Sequence, residues 1–361
     1  MSEVHLQRVW PAIFLMIVTL PCAAQSLRQE AQQSGVLIGT AVRPAQLSET
    51  LYATTLAREF NMVEPEDVMK WWVLRPDQGT YDFRQGDELI RFAQAHQMEV
   101  RGHCLIWGRN NPEWLTTGHF NPEQLARTLH DHIDRVMKHY AGQVFAWDVV
   151  NEAMDEKGNL RDSIWYNQPG IGMAGQGTGY IEQAFRWAHE ADAHALLFYN
   201  VAEGEGMNRK SDAIYAMAKD FQDRHVPIDG VGLQLHISTL DTDAQKLAAE
   251  LSKNIARLSA LGLQVHVTEL DVSVPVDAFG VSHPEDLARQ AEIYRKIVRA
   301  CLNNAGCTAI QMWGFTDKYS WIGSHSHGMH GQALLFDREY RPKMAYRAVL
   351  EELSAGRQAI H

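Results

Sequence analysis

Two glutamates each close a short apolar segment, a position from which a carboxyl group can meet a substrate. Glu152 ends the segment WDVVNE, and Glu269 follows the segment VHVT. Two carboxyl groups about 5 to 5.5 Å apart can hydrolyse a glycosidic bond, because one protonates the departing oxygen while the other attacks the anomeric carbon. These two residues are therefore the first candidates for catalysis.

Aromatic and polar residues cluster at the ends of similar segments. They are Trp71, His103, Trp107, Gln234, His236, Trp313 and Trp321. Aromatic faces pack against the apolar faces of pyranose rings, while amides, imidazoles and carboxylates hydrogen-bond the hydroxyl groups. This composition predicts a carbohydrate-binding cleft. For Trp10, Trp165 and Trp187 we expect packing in the core instead.

Eight short apolar segments have the length of β-strands and recur along the chain. They are Val36–Ala41, Phe60–Val63, Met98–Cys104, Val144–Val150, Ala195–Asn200, Gly230–Leu235, Gln264–Thr268 and Thr308–Trp313. The amphipathic segments between them, which carry apolar residues three and four positions apart, include Pro122–Tyr140, Ile181–Ala191 and Pro284–Leu302. This alternation predicts the α/β class and a single (β/α)8 barrel, in which chemistry occurs at the carboxyl ends of the strands. Glu152 and Glu269 would follow the fourth and seventh strands and point into the barrel mouth.

The composition is that of a folded and acidic protein. The 361 residues carry 44 acidic and 33 basic side chains, a net charge of -11, and 45% of them are hydrophobic. An acidic chain without a long basic run lacks the charge that a phosphate backbone requires, which argues against nucleic acid as a partner. No linker or low-complexity segment divides residues 35–355, so one domain is the simpler organisation.

The amino-terminal segment has the pattern of an export signal. Two basic side chains precede an apolar run from Val9 to Leu20 that is too short to span a bilayer, and small residues follow it. We therefore predict a signal peptide over residues 1–24 and a catalytic barrel domain over residues 25–361. The location would be secreted or periplasmic, without membrane contact after cleavage. An uncleaved amphipathic anchor is the alternative, and a lipoprotein anchor on Cys22 is less favoured because the preceding Leu20 and Pro21 suit it poorly.

The cysteines of the mature chain are expected to play structural roles. Cys301 and Cys307 lie close together, and in an exported protein we expect them to form a disulfide. This bridge would close a turn between a helix and the strand that follows it. Cys104 lies within an apolar strand pattern, which is typical of a buried, unreactive thiol.

Six colinear blocks of sequence carry a resemblance to a known family. They are Phe60–Glu66 with Met69–Trp71, Gly102–Trp107, Trp147–Ala153, Gly232–His236, Thr268–Asp271 and Trp313–Trp321. In order and spacing, over roughly residues 35–355, the chain resembles glycoside hydrolase family 10, the retaining endo-β-1,4-xylanases. The resemblance implies a barrel that hydrolyses xylan and xylo-oligosaccharides without a cofactor or a metal. We expect the protein to be a monomer.

Carried over position by position, the resemblance implies a role for each site residue. Glu152 would be the general acid/base, and Glu269 the nucleophile that forms a covalent glycosyl-enzyme. Asn151 would contact the 2-hydroxyl group of the sugar before the cleaved bond, and His236 would orient Glu269 and hold it ionised. Substrate contacts are implied for Glu66, Asp67, Lys70, His103, Trp107, Gln234, Trp313 and Trp321.

Three departures from the family pattern bear on substrate binding. Asp67 stands where the family usually has an asparagine, and an ionised aspartate only accepts hydrogen bonds. Val201, Ala202 and Glu203 replace a usual Asp-Tyr-Asn, so a methyl group stands where an aromatic ring would contact a sugar on the leaving-group side. The segment 108–111, GRNN, replaces a more usual His-x-Gln. We hypothesise that the leaving-group side of the cleft binds sugars weakly.

Two further patterns suggest cofactors only superficially. Gly170–Gly175 has the spacing of a dinucleotide-binding turn, but a polar turn precedes it where that motif needs a strand, so we predict a loop. His325, His327 and His330 follow the eighth strand and could hold a metal. We favour a solvated or sugar-contacting loop, because carboxylate and cysteine ligands are lacking nearby.

Two alternatives to a xylanase stay open at this point. The first is a related retaining β-1,4-glycanase of different specificity, which the substitutions at Asp67 and Ala202 would suit. The second is a non-catalytic glycan-binding barrel, against which the retention of both glutamates together with Asn151 argues.

Overall fold

The fold is known from a computed structural model that describes residues 25–356. The predicted signal peptide and Trp10 lie outside the described residues. Within the described range, no helix combines the length and the apolar character that a membrane crossing requires.

The described part of the chain contains ten strands. They are β1 (Leu37–Val42), β2 (Met62–Pro65), β3 (Glu99–Trp107), β4 (Ala146–Asn151), β5 (Leu196–Val201), β6 (Gly230–Leu233), β7 (His236–Ser238), β8 (Gln264–Pro275), β9 (Cys307–Met312) and β10 (His330–Gly331). Strands β1 to β6, β8 and β9 pair in parallel with their neighbours, and β9 also pairs with β1, which closes the sheet. The predicted single (β/α)8 barrel is therefore confirmed. Each of the eight predicted strands overlaps one barrel strand.

Helices lie between the strands. They are α1 (Leu27–Gln33), α2 (Thr50–Glu59), α3 (Trp71–Leu74), α4 (Arg84–Ala95), α5 (Glu113–Thr116), α6 (Pro122–His139), α7 (Gly179–Ala191), α8 (Arg209–Asp223), α9 (Ala244–Ser259), α10 (Pro284–Leu302), α11 (Ile322–His325) and α12 (Met344–Gly356). The sequence of α6 shows why such helices form. Asn121 caps its first turn, and the apolar residues Leu125, Leu129 and Ile133 recur every four positions, so they share one buried face.

Strand β8 is longer than the sequence pattern indicated. The apolar run predicted a strand that stops at Thr268, with Glu269 after its end, but the strand continues to Pro275. Beyond the barrel wall, its second half pairs in parallel with β7 and antiparallel with β10. Glu269 therefore lies within a continuous strand, and its backbone N–H donates to the backbone oxygen of Gln234 at 3.0 Å.

The disulfide and the free thiol have the positions predicted for them. Cys301 and Cys307 are bonded and join the end of α10 to the start of β9. Cys104 is buried in β3, and burial raises the pKa of its thiol well above the usual value. An uncharged thiol is a poor nucleophile, which agrees with a structural role.

Candidate active site

A cleft of about 350 Å³ opens at the carboxyl ends of the barrel strands. Glu152 directly follows β4, in the left-handed backbone region with φ 53°, and Glu269 faces it from β8. Both glutamates line the cleft. The other predicted site residues in its wall are Lys70, His103, Trp107, Asn151, Gln234, His236, Trp313 and Trp321.

Glu269 is a buried carboxylate with a partner on each oxygen. Asn200 Nδ2 donates to Oε1 at 2.7 Å, and His236 Nε2 lies 3.1 Å from Oε2. Burial disfavours the charged form of Glu269, but the hydrogen bond from His236 and the charge of nearby histidines outweigh it. The pKa of Glu269 therefore lies below its usual value.

His236 is itself held by a second carboxylate. Its Nδ1 lies 3.0 Å from Oδ2 of Asp271, the residue opposite it in the pairing of β7 with β8. Trp321 Nε1 donates to the same oxygen at 2.8 Å. Burial opposes a charge on His236, but Asp271 and Glu269 outweigh it and raise its pKa well above the usual value. The imidazole is thus a cation clamped between two carboxylates.

Glu152 receives a hydrogen bond on each oxygen as well. Trp107 Nε1 donates to Oε2 at 3.1 Å, and Gln234 Nε2 donates to Oε1 at 3.1 Å. Gln234 also donates to Asn151 Oδ1, which accepts a further hydrogen bond from Asn200 at 3.0 Å. A continuous chain of hydrogen bonds therefore runs from Glu152 through these three amides to Glu269.

The wall of the cleft combines a cation with aromatic rings. The Lys70 ammonium lies 5.1 Å from the centre of the Trp107 ring and 5.6 Å from that of Trp313. Asp67 accepts from Lys70 at 3.3 Å. Glu66 pairs with Arg43 at 2.5 Å instead. Neither Glu66 nor Asp67 lines the cavity wall: Asp67 contacts the wall residue Lys70, whereas Arg43, the partner of Glu66, lies outside the wall.

Beneath the cleft, a second charged group fills the barrel interior. His103 Nδ1 lies 2.9 Å from Asp148 and 3.3 Å from Glu64, and Arg101 forms an ion pair with Asp148. Burial, reinforced by the charge of Asp148, raises the pKa of Glu64 well above its usual value, so this carboxyl group holds its proton. His103 is thereby fixed from below while it faces the cleft.

Glu64, His103 and Asp148 form the one cluster of three potential metal ligands among residues 25–356. Arg101 already balances the charge of Asp148, and a protonated Glu64 is a poor ligand, so the group does not suit a cation. The histidines of the predicted loop do not gather into such a cluster within the same residues. His325 lines the cleft and lies 4.6 Å from the Trp321 ring, which favours the sugar-contacting alternative.

A larger cavity, of about 740 Å³, lies elsewhere, where the loops after β8 and β9 meet the start of α12. Its carboxylates are occupied by basic partners, Asp317 by Lys343 at 2.8 Å and Asp337 by Arg341 at 2.7 Å. The two glutamates that face each other are in the smaller cleft, so we place the active site there.

Comparison with known proteins decides the family. Residues 26–352 match the family described as Glycosyl hydrolase family 10. The chain belongs to glycosyl hydrolase family 10.

Relatives within family 10 cover most of the chain. Endo-1,4-beta-xylanase B of Thermotoga neapolitana is 41% identical over 300 residues, which are 83% of this chain and 82% of that protein. Endo-1,4-beta-xylanase 1 of Humicola insolens is 34% identical over 343 residues, 94% of this chain and 76% of that protein. These similarities confirm the predicted enzyme class, a glycoside hydrolase of the endo-1,4-β-xylanase type.

Solved structures of family 10 enzymes have the same fold. Native xylanase 10B from Thermotoga maritima is similar with a TM-score of 0.86 at 39% identity, covering 93% of this chain and 100% of that one. Xylanase 10B from Thermotoga petrophila, solved in complex with xylobiose, is similar with a TM-score of 0.85 at 38% identity, covering 98% of this chain and 99% of that one.

Trp71, which the sequence placed among the cleft residues of this family 10 protein, is buried in the core instead. Trp71 is 2% exposed, stacks on His132 at 3.6 Å, and donates from Nε1 to the backbone oxygen of Leu105. The prediction that Trp71 contacts sugar was therefore wrong, because α3 turns its side chain inward. Trp165 is buried as predicted, and Trp187 stacks on His130.

The sequence reasoning also missed Asn200, the amide that links Glu269 to Asn151. Asn200 is fully buried next to the end of β5, a polar residue after an apolar run. The same signal singled out Glu152, and it could have identified Asn200 too. The glycine-rich segment Gly170–Gly175 lies in the loop between β4 and α7, as predicted.

Proposed function

We propose that this xylanase cleaves internal β-1,4 bonds of xylan by double displacement through a covalent glycosyl-enzyme. Glu269 is the nucleophile and Glu152 the general acid/base. The observation that carries the proposal is the hydrogen-bonded chain between the two glutamates, which places an ionised carboxylate opposite a second carboxyl group in one cleft.

In the first step, Glu152 gives its proton to the glycosidic oxygen while a Glu269 oxygen attacks the anomeric carbon. The bond to the leaving sugar breaks, and an ester to Glu269 forms. Glu152 is left as a carboxylate, which the hydrogen bonds donated by Trp107 and Gln234 stabilise. Burial excludes water from Glu269, so its attack needs little solvent reorganisation.

In the second step, the Glu152 carboxylate takes a proton from a water molecule, which attacks the same anomeric carbon. The ester bond breaks and Glu269 leaves as a carboxylate, whose charge the His236 imidazolium stabilises. Two inversions at one carbon restore the original β configuration.

The remaining side chains bind and orient the sugar. Asn151 contacts the 2-hydroxyl group of the sugar bonded to Glu269, and His236 positions the nucleophile. Lys70 and His103 hydrogen-bond hydroxyl groups of the same chain, and Gln234 orients Glu152. Trp107, Trp313 and Trp321 form the aromatic walls. Asp67 holds Lys70 by a hydrogen bond, and Glu66 pairs with Arg43.

The stereochemistry of the first product tests the mechanism. Proton NMR during early hydrolysis of xylohexaose should show the β-anomer before mutarotation, whereas an inverting enzyme releases the α-anomer.

Rescue with azide distinguishes the nucleophile from the general acid/base. With an activated aryl β-xylobioside, Glu269→Ala plus azide should yield the α-glycosyl azide by a single displacement. Glu152→Ala should yield the β-glycosyl azide by two displacements. Exchanged products would reverse the assignments of the two glutamates.

Substrate class is tested by product analysis on glucuronoxylan and on a mixed-linkage β-glucan. We expect xylo-oligosaccharides from the first and little product from the second. Products from β-glucan alone would show that specificity has moved to another β-1,4-glycan. Absence of product from both substrates would favour the non-catalytic glycan-binding barrel.

We propose further that the mature enzyme begins near residue 25, is secreted or periplasmic, and acts as a monomer without membrane contact. The disulfide between Cys301 and Cys307 suits an oxidising compartment. Amino-terminal sequencing of the exported protein and light scattering in solution test these points.

A further inference from the structure

The cleft opens into a side pocket of about 500 Å³ next to Glu152. This side pocket shares Trp107, Arg109, Glu152 and Arg161 with the cleft, so a group in it stays within reach of the bond being cleaved. Its volume falls in the range of about 300 to 1,000 Å³ that is typical of ligand pockets.

Arg109 brings a free cation to both cavities. Its side chain forms no hydrogen bond or ion pair with any residue in the range 25–356 and is exposed to solvent. Arg161 is held in place by Met154, whose backbone oxygen accepts from Nε at 3.0 Å, and by Glu156, which accepts from one terminal nitrogen at 2.9 Å. Arginine carries five N–H donors, so both guanidinium groups keep donors to spare.

Each acidic residue of the side pocket, Glu152, Asp155 and Asp162, accepts hydrogen bonds within the protein, Glu152 from Trp107 and Gln234. Asp155 accepts from the backbone of Lys157 and Asn159 at 2.9 and 2.8 Å, within its own turn. Asp162 accepts from the side chain of Asn167 at 2.5 Å. A ligand that enters the side pocket therefore meets spare guanidinium donors, while the carboxylates around it already accept hydrogen bonds from neutral donors.

We propose that the side pocket binds a carboxylate carried as a uronic acid branch on the xylan chain, next to the cleaved bond. Arg109 forms a paired hydrogen bond with the carboxylate, and Arg161 adds a second donor. The inference rests on the proposed function and adds a substrate preference to it, for acidic over neutral branched xylan.

Gly108 leaves the entrance to the side pocket open. A Cβ atom added at this residue would lie 3.4 Å from Cβ of Ser163, in ordinary contact with the pocket wall. An alanine fits there, while a leucine would project into the space that the branch needs.

The test compares two substrates that differ only in charge: oligosaccharides of glucuronoxylan, and the same oligosaccharides with the branch carboxylate reduced to an alcohol. For wild type we expect a higher kcat/KM on the acidic form. Arg109→Gln should lower the acidic-to-reduced ratio about tenfold, the effect of one charge-assisted pair. Higher salt should lower the wild-type ratio as well.

Arg91→Gln is the matched control, since Arg91 is exposed on α4 and lies outside the cleft and the side pocket. Its ratio should equal that of wild type. Gly108→Leu should slow both branched substrates relative to unbranched xylohexaose, whereas Gly108→Ala should not.

An unchanged ratio in Arg109→Gln, or an equal loss in Arg91→Gln, would overturn the inference. Calorimetric binding of both oligosaccharides gives the same ratio without turnover. A preference for the acidic ligand that depends on Arg109 supports the side pocket, and equal binding contradicts it. Failure to cleave unbranched xylohexaose would contradict the proposed function separately.

Discussion

The charge of Glu269 depends on a relay of single side chains. His236 contacts Glu269 on one side and Asp271 on the other, and Trp321 fixes Asp271 in turn. Because a cation must sit between the two carboxylates, each residue of this relay affects the nucleophile without touching the substrate carbon. The pH dependence of the enzyme should therefore respond to Asp271.

Asp271→Asn should move the acidic limb of the kcat/KM profile to higher pH. In wild type, His236 holds the pKa of Glu269 below its usual value, so the nucleophile stays ionised as pH falls toward that lowered pKa. Without the charge of Asp271, His236 loses its proton more readily, and the pKa of Glu269 rises. Activity is then lost at a higher pH on acidification.

A pH–rate profile on an aryl xylobioside measures this shift. Asp87→Asn is the matched control, because Asp87 makes a similar contact with His139 on the surface, 2.7 Å long. An acidic limb that stays in place in Asp271→Asn would show that the relay does not control the nucleophile.

Ala202 tests the hypothesis of a weak leaving-group side. Ala202 lines the cleft, where its methyl group offers no ring for a sugar to stack on. Ala202→Tyr should lower KM for long xylo-oligosaccharides by about five- to tenfold, the effect of one stacked aromatic contact. Rates measured from xylotriose to xylohexaose check this, and identical length profiles would contradict the hypothesis.

At the scale of elements, strand register brings the site together. In the paired strands, Trp107 lies opposite Asn151, Asn151 opposite Asn200, and Asn200 opposite Gly232. The four residues form one layer across the neighbouring strands β3, β4, β5 and β6. The missing side chain at Gly232 leaves the space in which Asn200 reaches Glu269.

Gly232→Ala should therefore damage both stability and catalysis. The added Cβ would lie 2.3 Å from Asn200 Oδ1 and 2.8 Å from the Thr268 methyl group, which forces Asn200 away from Glu269. We expect a loss of about 1 to 3 kcal/mol in the free energy of unfolding, and a lower kcat. Gly79→Ala, at a position with open space around it, should behave as wild type in urea unfolding and kinetics. Equal behaviour of the two variants would argue against the packing explanation.

At the scale of the whole molecule, a buried ion pair ties the barrel strands together. Arg101 on β3 and Asp148 on β4 are both inaccessible to solvent, and Arg101 also contacts His266 on β8 at 2.8 Å. Burial opposes the charge of Asp148, but Arg101 and His103 outweigh it and lower its pKa. The barrel interior is thus polar at the level of this pair.

Asp148→Asn should cost about 3 to 5 kcal/mol in the free energy of unfolding, because it leaves the Arg101 charge buried without a partner. Urea unfolding measures the loss. Asp223→Asn removes one partner of an exposed pair with Lys219, and should cost no more than about 0.5 kcal/mol. Similar losses in both variants would mean that the buried pair adds nothing.

The ion pair of Arg101 with Asp148 also predicts how acid affects the folding stability of the wild type. Because the folded-state pKa of Asp148 is lowered, its contribution to stability is complete above the unfolded pKa of about 3.9 and is lost as pH falls through the folded value. The stability difference between wild type and Asp148→Asn should therefore shrink in strong acid.

Local patterns in the sequence were sufficient to predict the barrel, the position of Glu152 and Glu269 in one cleft, and the Cys301–Cys307 disulfide. Strands and helices follow from the spacing of apolar residues, and a closed parallel barrel brings every strand's carboxyl end to one rim. A polar residue at such an end, such as Glu152 or Asn151, is therefore a candidate for the cleft wall.

What only the tertiary structure decided depends on pairings between distant segments and on the direction of single side chains. Trp71 turns into the core although it follows a strand, and Asn200 joins Glu269 to Asn151 across three strands. The extension of β8 requires partners in β7 and β10, and the side pocket requires two loops to meet beside Glu152. A periodic pattern specifies which face of an element is buried, but it contains no information about which distant side chain will lie opposite.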